Sequence, residues 1–238
     1  MTKAVVIGAS GGIGGALVAE LGARGTFDTV YALSRAGSPF PGATEAGRID
    51  LLEEASIRAA AARIGEDHLP VDLILVASGQ LHGPAITPEK AVKSLDPAAM
   101  ATLFAVNATG PALVAKHFVP LLPRTGRCIF AALSARVGSI GDNRLGGWYG
   151  YRAAKAALNQ ILRTLAIEVA RTRPEAIVVG LHPGTVTTAL SDPFQPSLDK
   201  PGVFPPDAAA RHLLDVLDGL TPAETGGVFA WDGKAVPP

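Results

Sequence analysis

Short apolar runs alternate along the chain with longer Ala- and Leu-rich stretches in which apolar residues recur at helical spacing. Short continuous apolar runs are typical of strands buried on both faces, and helical stretches between them are typical of crossovers between parallel strands. The pattern predicts strands at residues 3–8, 28–34, 46–49, 71–77, 126–133, 176–182 and 227–230. It predicts helices at residues 12–24, 53–64, 97–121, 150–172 and 206–218. This order favours an α/β fold, a doubly wound parallel sheet of about seven strands with helices on both faces.

One domain accounts for the whole chain. No internal repeat, low-complexity tract or linker divides residues 1–238, and a chain of this length can bury roughly 70–75% of its unfolded surface in one core. We therefore predict a single Rossmann-like domain. Residues 189–205 follow the sixth strand and are rich in Pro and polar residues, so they form either a lid over a substrate site or a surface connection.

Charge and cysteine content narrow the classes of partner and compartment. The 21 Lys and Arg residues balance 21 Asp and Glu residues, so no basic excess is available for nucleic acid or a membrane surface, and neither is expected as a partner. Cys128 is the single cysteine, which excludes an intrachain disulfide and suits a reducing compartment. No secretion signal is visible, and the apolar runs are shorter than a spanning helix needs. We expect a cytoplasmic protein.

A glycine-rich turn follows the first predicted strand and leads into a helix, with Gly8, Gly12 and Gly14 spaced as G-x-x-x-G-x-G. Glycine allows positive φ and close backbone approach, and the following helix N-terminus offers N–H groups and a positive dipole end to a pyrophosphate. The turn therefore predicts a dinucleotide site, the alternative being a tight turn that needs glycine for packing alone. The residues predicted to contact the cofactor here are Gly8, Ser10, Gly11, Gly12, Ile13 and Gly14.

Further motifs occur in one order along the chain. Tyr151 and Lys155 form Tyr-x-x-x-Lys, Ser134 directly follows the fifth strand, Asn107 lies in a predicted helix, and Pro183-Gly184 follows the sixth strand. Together with the glycine spacing, they make the chain resemble the short-chain dehydrogenase/reductase family over essentially its whole length. The resemblance implies hydride transfer between a nicotinamide dinucleotide and a carbonyl or secondary alcohol.

The chain departs from the family pattern at two places, and the second of them resembles one branch of the family. The family's Asn-Asn-Ala-Gly after strand four is Val-Ala-Ser-Gly here, at residues 76–79. Ser134 and Tyr151 lie 17 positions apart, which is longer than usual in the family and implies a longer loop. With the sequence Gly-Gly-Trp-Tyr-Gly-Tyr-Arg at residues 146–152, this loop resembles the branch that contains the myxobacterial C-factor and the insect carbonyl reductase sniffer. That branch includes both enzymes and a signalling role.

The resemblance also implies cofactor contacts outside the glycine turn. Asp50 and Leu51 would border the adenine, and Val186 and Thr188 the nicotinamide carboxamide. The other positions that it implies are Ala77, Ser78, Gly79, Asn107, Tyr151, Lys155, Pro183 and Gly184.

The end of the second strand indicates which nicotinamide cofactor is bound. NAD-specific dinucleotide folds place Asp or Glu there, whereas an Arg nearby accommodates the 2′-phosphate of NADP. This chain has Ser34-Arg35, and a guanidinium supplies charge and forked donors suited to phosphate. NADP(H) is therefore the preferred cofactor and NAD(H) the second choice, while the alternative for Arg35 is a solvated loop arginine.

The candidate catalytic residues are Asn107, Ser134, Tyr151 and Lys155. Positions i and i+4 share a helix face, so the Lys155 ammonium can lie near the Tyr151 phenol and lower its pKa. In reduction, Tyr151 would donate a proton to the carbonyl oxygen while Ser134 hydrogen-bonds the same oxygen. The resemblance implies that Asn107 holds a relay water near Lys155. Ser139 remains an alternative to Ser134, and Asn107 could instead mark a structural kink.

The chain is thus predicted to be an NADP-dependent oxidoreductase for a small carbonyl or secondary alcohol, the alternative being a cofactor-binding regulator or signalling protein. The five histidines are scattered, so no metal site is predicted. His82 could touch substrate, although loop solvation is favoured. A homodimer or homotetramer through the helices at 97–121 and 150–172 is expected by analogy. The residues predicted to give the substrate pocket an apolar lining are Leu81, Val137, Trp148 and Phe194.

Overall fold

A parallel sheet forms the centre of the computed structural model, which describes residues 1–194 and 203–238. The strands within these ranges are β1 Lys3–Ile7, β2 Thr29–Ser34, β3 Glu45–Arg48, β4 Leu73–Val76, β5 Cys128–Leu133, β6 Ala176–His182, β7 Thr185–Val186, β8 Val203–Phe204 and β9 Val228–Ala230. Seven of them join in the order β3-β2-β1-β4-β5-β6-β9, and every pairing is parallel. The predicted doubly wound sheet is confirmed.

Helices cover both faces of this sheet. They are α1 Gly12–Arg24, α2 Glu54–Ile64, α3 Pro97–Phe104, α4 Gly110–Phe118, α5 Tyr149–Ala170 and α6 Pro206–Gly219. Helices α2, α4 and α5 pack with one apolar cluster, and α1 and α6 pack with the other. Strand β1 shows how the sheet serves both clusters: Val5 and Ile7 face the first, and Ala4 and Val6 face the second, as expected from the two-residue period of a strand.

The helix predicted at 97–121 is interrupted. A π-helical stretch, Ala105–Thr109, separates α3 from α4. Pro111 lacks an amide hydrogen, so the carbonyl of Asn107, four residues earlier, loses its α-helical donor. This explains a wider turn at that point, and such turns are frequent at functional sites.

The same stretch corrects the expectation that no segment is apolar enough to span a membrane. Pro97–Leu121 forms 25 helical residues that pass this test by length and composition. Its Leu103, Val114 and Phe118 side chains are nevertheless buried within the fold. We interpret it as a core helix of the domain, because this apolar face already packs inside the protein.

The short strands β7 and β8, which pair in parallel, were not predicted. Two-residue strands are too short for a periodicity to register. They follow β6 and precede α6, and β8 lies within the predicted segment 189–205, of which residues 195–202 lie outside the described residues.

Candidate active site

A cleft of about 370 Å³ lies at the carboxyl ends of β1, β2 and β4. The strand order reverses around β1, which is where open α/β sheets leave a crevice for ligands. The predicted cofactor residues that line it are Gly8, Ser10, Gly11, Arg35, Asp50, Leu51, Ala77, Ser78 and Gly79. Gln80 and Val106 also line it, and neither was predicted.

The glycine turn is shaped for close backbone approach. Gly8 has φ +90°, and a Cβ there would lie 2.7 Å from the Ser78 Oγ. A Cβ at Gly14 would lie 2.1 Å from the Gly8 carbonyl oxygen. Helix α1 begins at Gly12, and no side chain caps its N-terminus at Gly11. A glycine-rich turn beside uncapped N–H groups fits the pyrophosphate of a dinucleotide.

Arg35 lies at the rim of this cleft, directly after β2, and is exposed. In the described lining it is the one cationic side chain, and Asp50 is the one carboxylate. The Asp50 Oδ1 accepts a hydrogen bond of 3.0 Å from the Leu52 N–H, which ties that carboxylate to its own loop. No carboxylate follows β2, where one would repel a 2′-phosphate.

A second cavity, of about 210 Å³, brings the candidate catalytic and nicotinamide residues together. Ser134 and Tyr151 line it, as do the predicted cofactor residues Ile13, Pro183, Gly184, Val186 and Thr188. The predicted apolar lining is confirmed, because Leu81, Val137, Trp148 and Phe194 all belong to it. Gly12 lies outside the lining of both cavities and contacts Thr188, whose Cγ2 would be 2.6 Å from a Cβ at Gly12.

Tyr151 and Lys155 lie on one face of α5, as predicted, and both are buried, with 8% and 2% of each residue exposed. The Lys155 Nζ lies 5.7 Å from the Tyr151 ring centroid and donates a 2.8 Å hydrogen bond to the Leu133 carbonyl. Burial raises the pKa of Tyr151 and lowers the pKa of Lys155 to about 7. The sequence predicts that the Lys155 ammonium, together with a positive oxidised nicotinamide, lowers the pKa of the phenol, whereas removal from water raises it.

The two candidate serines have different surroundings. The Ser134 Oγ faces the cavity and lies 2.5 Å from the Asn159 Oδ1, to which it donates a hydrogen bond. The Ser139 Oγ instead accepts from the Asp142 N–H at 3.1 Å and donates to the Pro238 carbonyl at 3.4 Å. Ser139 is absent from the described lining of the cavity. This arrangement favours Ser134 as the residue that meets a substrate.

Asn159 was missed by sequence reasoning, although a signal existed. Tyr151, Lys155 and Asn159 stand at i, i+4 and i+8 of one helix and so share a face. One further helical turn after Lys155 therefore leads to Asn159, whose side chain accepts the hydrogen bond from Ser134.

Asn107 lies in the π-helical stretch and is fully buried. Its Nδ2 donates to the Gln80 and Leu103 carbonyls at 2.8 and 2.9 Å, and its Oδ1 accepts from the Gln80 N–H at 3.0 Å. The side chain thus fixes the loop after β4 to the helix. The structural kink that was the alternative for Asn107 is present, since the π-helical stretch includes this residue.

Aromatic side chains close one side of the second cavity. The Trp148 ring meets the Tyr151 and Phe194 rings edge-on, at centroid distances of 6.4 and 5.3 Å. His82 packs edge-on against Phe194 at 5.6 Å, and its Nε2 lies 3.0 Å from the Ala189 carbonyl oxygen. His82 is half-buried, and its contact with the start of the 189–205 segment was not predicted.

The N-terminus of α5 is held by a buried carboxylate that the sequence did not reveal. Trp148 has φ 52°, and its N–H donates to the Glu89 carbonyl at 2.5 Å. The Glu89 carboxylate accepts from the Gly150 N–H at 3.2 Å. A negative charge at a helix N-terminus is stabilised by the helix dipole, so Glu89 positions the start of the helix that carries Tyr151.

Comparison with known proteins agrees with this site. The short chain dehydrogenase family model matches residues 2–199. The C-signal protein of Myxococcus xanthus is 36% identical over 148 residues, which are 62% of this chain and 83% of that protein. A 1-hydroxy-2-glutathionyl-2-methyl-3-butene dehydrogenase of Rhodococcus sp. (strain AD45) is 30% identical over 231 residues, 96% of each chain.

A solved structure described as a short-chain dehydrogenase/reductase from Burkholderia multivorans, with bound NADP, superposes with a TM-score of 0.82. It is 27% identical and covers 99% of both chains. The family model spans most of the sequence, and the dehydrogenase relative aligns along nearly all of it. The chain therefore belongs to the short-chain dehydrogenase family of oxidoreductases.

Proposed function

We propose that this protein is an NADP(H)-dependent carbonyl reductase that interconverts a small carbonyl compound and its secondary alcohol, with Tyr151 as the general acid and base. The observation that carries the proposal is the shared cavity, which Tyr151 and Ser134 line together with Val186 and Thr188. The proton donor Tyr151 and the residues expected around a nicotinamide thus line the same small cavity. The cytoplasm remains the expected compartment, since the single cysteine, Cys128, is a buried free thiol.

Tyr151 holds the proton that reduction requires. Because burial raises the pKa of its phenol, the hydroxyl is protonated at neutral pH and can donate to the oxygen of a carbonyl. NADPH, when bound, supplies the hydride for the carbonyl carbon. Leu81, Trp148 and Phe194 give the cavity apolar walls, and a substrate that displaces water from an apolar site receives stronger hydrogen bonds at its reacting oxygen.

Ser134 and Lys155 support this proton transfer. The Ser134 hydroxyl lies beside Tyr151 in the cavity and can stabilise the charge that develops on the reacting oxygen. Asn159 holds that hydroxyl through the 2.5 Å hydrogen bond, so Asn159 is a positioning residue. Lys155 is buried behind Tyr151, and protonation of its amine favours the phenolate that remains after the proton has been donated.

Arg35 supports NADP(H) as the cofactor. Its exposed guanidinium borders the cleft next to Asp50 and Leu51, where the adenosine half is expected. A guanidinium recognises phosphate through charge and paired donors. The Burkholderia multivorans relative was solved with bound NADP, which supports the same choice.

The decisive test is Tyr151→Phe, which deletes one oxygen and keeps the ring that packs against Trp148. NADPH oxidation with a panel of aldehydes, ketones and diketones should fall about 10²- to 10⁴-fold, the usual contribution of a positioned general acid. NADPH affinity, measured by fluorescence titration, should change little. Tyr149→Phe is the matched control, because Tyr149 is 41% exposed and has Ala153 four residues on; it should keep full activity. Unchanged turnover in Tyr151→Phe would exclude the proposed mechanism.

A second function, as a signalling protein, is favoured by the similarity to C-signal. In that case cofactor binding would matter and turnover would be incidental. Substituting Gly14 with Ala would disturb the cofactor turn, because a Cβ there would lie 2.1 Å from the Gly8 carbonyl oxygen. A biological effect that survives Tyr151→Phe but is lost in Gly14→Ala would favour the signalling role.

A further inference from the structure

His182 is the last residue of β6 and lines the same cavity as Ser134 and Tyr151. The Ser134 N–H donates to the Leu181 carbonyl at 2.8 Å, so Ser134 and His182 are neighbours across two strand ends. Residues i and i+2 of a strand share a face, and a Cβ at Gly180 would lie 3.4 Å from the Ser134 Cβ. The His182 side chain therefore extends from the side of the sheet that carries Ser134.

The imidazole of His182 has unused hydrogen-bonding capacity. Its Nδ1 is enclosed and unpaired within the part of the chain that the structure describes. Buried polar groups are normally hydrogen-bonded, so an unpaired ring on a cavity wall is an exception that needs a cause. Because the Nδ1 atom is enclosed, a ligand in the cavity that His182 lines can meet this ring at its other nitrogen, Nε2.

The ring's charge state decides which kind of partner it needs. Burial, and after it the nearby Arg136, lowers the pKa of His182 to about 4, while Asp232 opposes this. At neutral pH the ring is therefore neutral and carries one N–H. An enclosed N–H without an acceptor is less tolerable than an enclosed lone pair, so the proton belongs on Nε2. His182 consequently offers a donor to an acceptor atom.

We propose that the His182 Nε2–H donates a hydrogen bond to a second oxygen of the substrate, so that the enzyme favours carbonyl compounds with another oxygen beside the reacting carbonyl, such as vicinal diketones. This rests on the proposed function, in which Ser134 and Tyr151 hold the reacting oxygen. His182 is therefore a specificity-determining residue.

Diacetyl and butanone form a matched pair that differs by one carbonyl oxygen. We expect His182→Leu to lower the diacetyl-to-butanone ratio of kcat/KM about three- to tenfold, the loss expected for one neutral hydrogen bond. His182→Gln keeps an N–H donor and should restore part of the ratio. The intrinsic reactivity of each ketone is the same for every variant, so it cancels in this comparison. NADPH affinity, measured in parallel, should be unchanged in both variants.

The outcomes separate this inference from the proposed function. If the unmodified protein oxidises NADPH with neither ketone, the carbonyl reductase proposal and this inference both fail. If it reduces both and the ratio is the same in His182→Leu, only the role of His182 is overturned. Long-range ¹H–¹⁵N spectra of the unmodified protein labelled with [¹⁵N]histidine test the tautomer without any variant. A proton on Nε2 supports the inference, and a proton on Nδ1 contradicts it.

Discussion

Arg35 and Lys155 are single side chains whose charge should have measurable consequences. Arg35 is exposed at the rim of the cofactor cleft, whereas Lys155 is buried beneath the second cavity. An exposed charge is solvated and free to meet a phosphate, but a buried charge is penalised by its removal from water. The first therefore bears on cofactor choice and the second on the pH dependence of stability.

Replacing Arg35 with Ala should remove most of the preference for NADPH over NADH. A charge-assisted hydrogen bond contributes about 1.5–3 kcal/mol, so NADPH affinity should fall roughly 10- to 100-fold while NADH affinity stays nearly constant. Fluorescence titration of both cofactors measures this. Arg48→Ala is the control, because Arg48 is also exposed at a strand end but pairs with Glu53 at 3.5 Å. Equal affinities in the unmodified protein would contradict the prediction.

Lys155 should make the protein more stable as the pH rises above neutrality. Its pKa is about 7 in the folded protein against an ordinary 10.5, so between these values the unfolded chain binds more protons and stability increases with pH. The free energy of unfolding can be measured with denaturant from pH 7 to about pH 9.5, below the ordinary pKa of tyrosine. Over this range the unmodified protein should gain stability relative to Lys155→Met. Parallel curves for the two proteins would show that the buried amine keeps an ordinary pKa.

Residues 189–194 are the described part of the predicted segment 189–205, and backbone hydrogen bonds and ring contacts hold them in place. The Ser191 and Asp192 N–H groups both donate to the Thr188 carbonyl at 2.9 Å, and Phe194 contacts Trp148 and His82. We propose that this segment tightens over the substrate cavity when ligands bind, because its aromatic side chain forms a wall of that cavity.

His82→Ala should loosen this element. The substitution removes the contact with the Ala189 carbonyl and the ring contact with Phe194, and one neutral hydrogen bond is worth about 0.5–1.5 kcal/mol. Amide exchange of residues 189–194 should therefore quicken roughly two- to tenfold, with the amides of β5 as the internal reference. Adding NADP⁺ and a ketone should slow the same amides in the unmodified protein. If neither the substitution nor the added ligands alter the exchange rates of these amides, the segment is a surface connection.

At the scale of the whole molecule, α4 and α5 leave a groove on the outer surface of one helical layer. The apolar residues that line it are Ala112, Ala115, Val119, Pro120, Ile161 and Leu165. Apolar surface at a helix pair can be buried by a second copy of the same surface, since two-fold interfaces are self-complementary. We propose that the homo-oligomer expected by analogy uses this groove.

Light scattering after size-exclusion chromatography should therefore find a mass at least twice the 24.3 kDa of one chain. Leu165→Glu should shift the protein toward the monomer, because removal of a carboxylate from water at the interface is costly. Leu145→Glu is the control: Leu145 is 93% exposed, lies outside the groove and should leave the mass unchanged. A monomer at micromolar concentrations for the unmodified protein would exclude the proposal.

Much of the fold could be predicted because its signals are local. The apolar runs at β1, β4 and β6, the helical spacing between them and the glycine turn each depend on residues close together in the chain. The same holds for Tyr151 and Lys155, since positions four apart share a helix face in any fold. The break at Ala105–Thr109 was the exception within a helix, although Pro111 was its visible cause.

Only the tertiary structure decided what these residues meet. Ser134 was preferred and Ser139 was the alternative, and the structure supports this order by placing Ser134 against Asn159 on the cavity wall and Ser139 against the Pro238 carbonyl. The partner of His82, the Ala189 carbonyl, lies 107 positions away along the chain and could not be found from local sequence. The direction of the Tyr151 pKa shift also depended on burial, which distant elements of the fold produce. Local sequence determines which side chains share a face, whereas desolvation and long-range contacts exist only once the chain has folded.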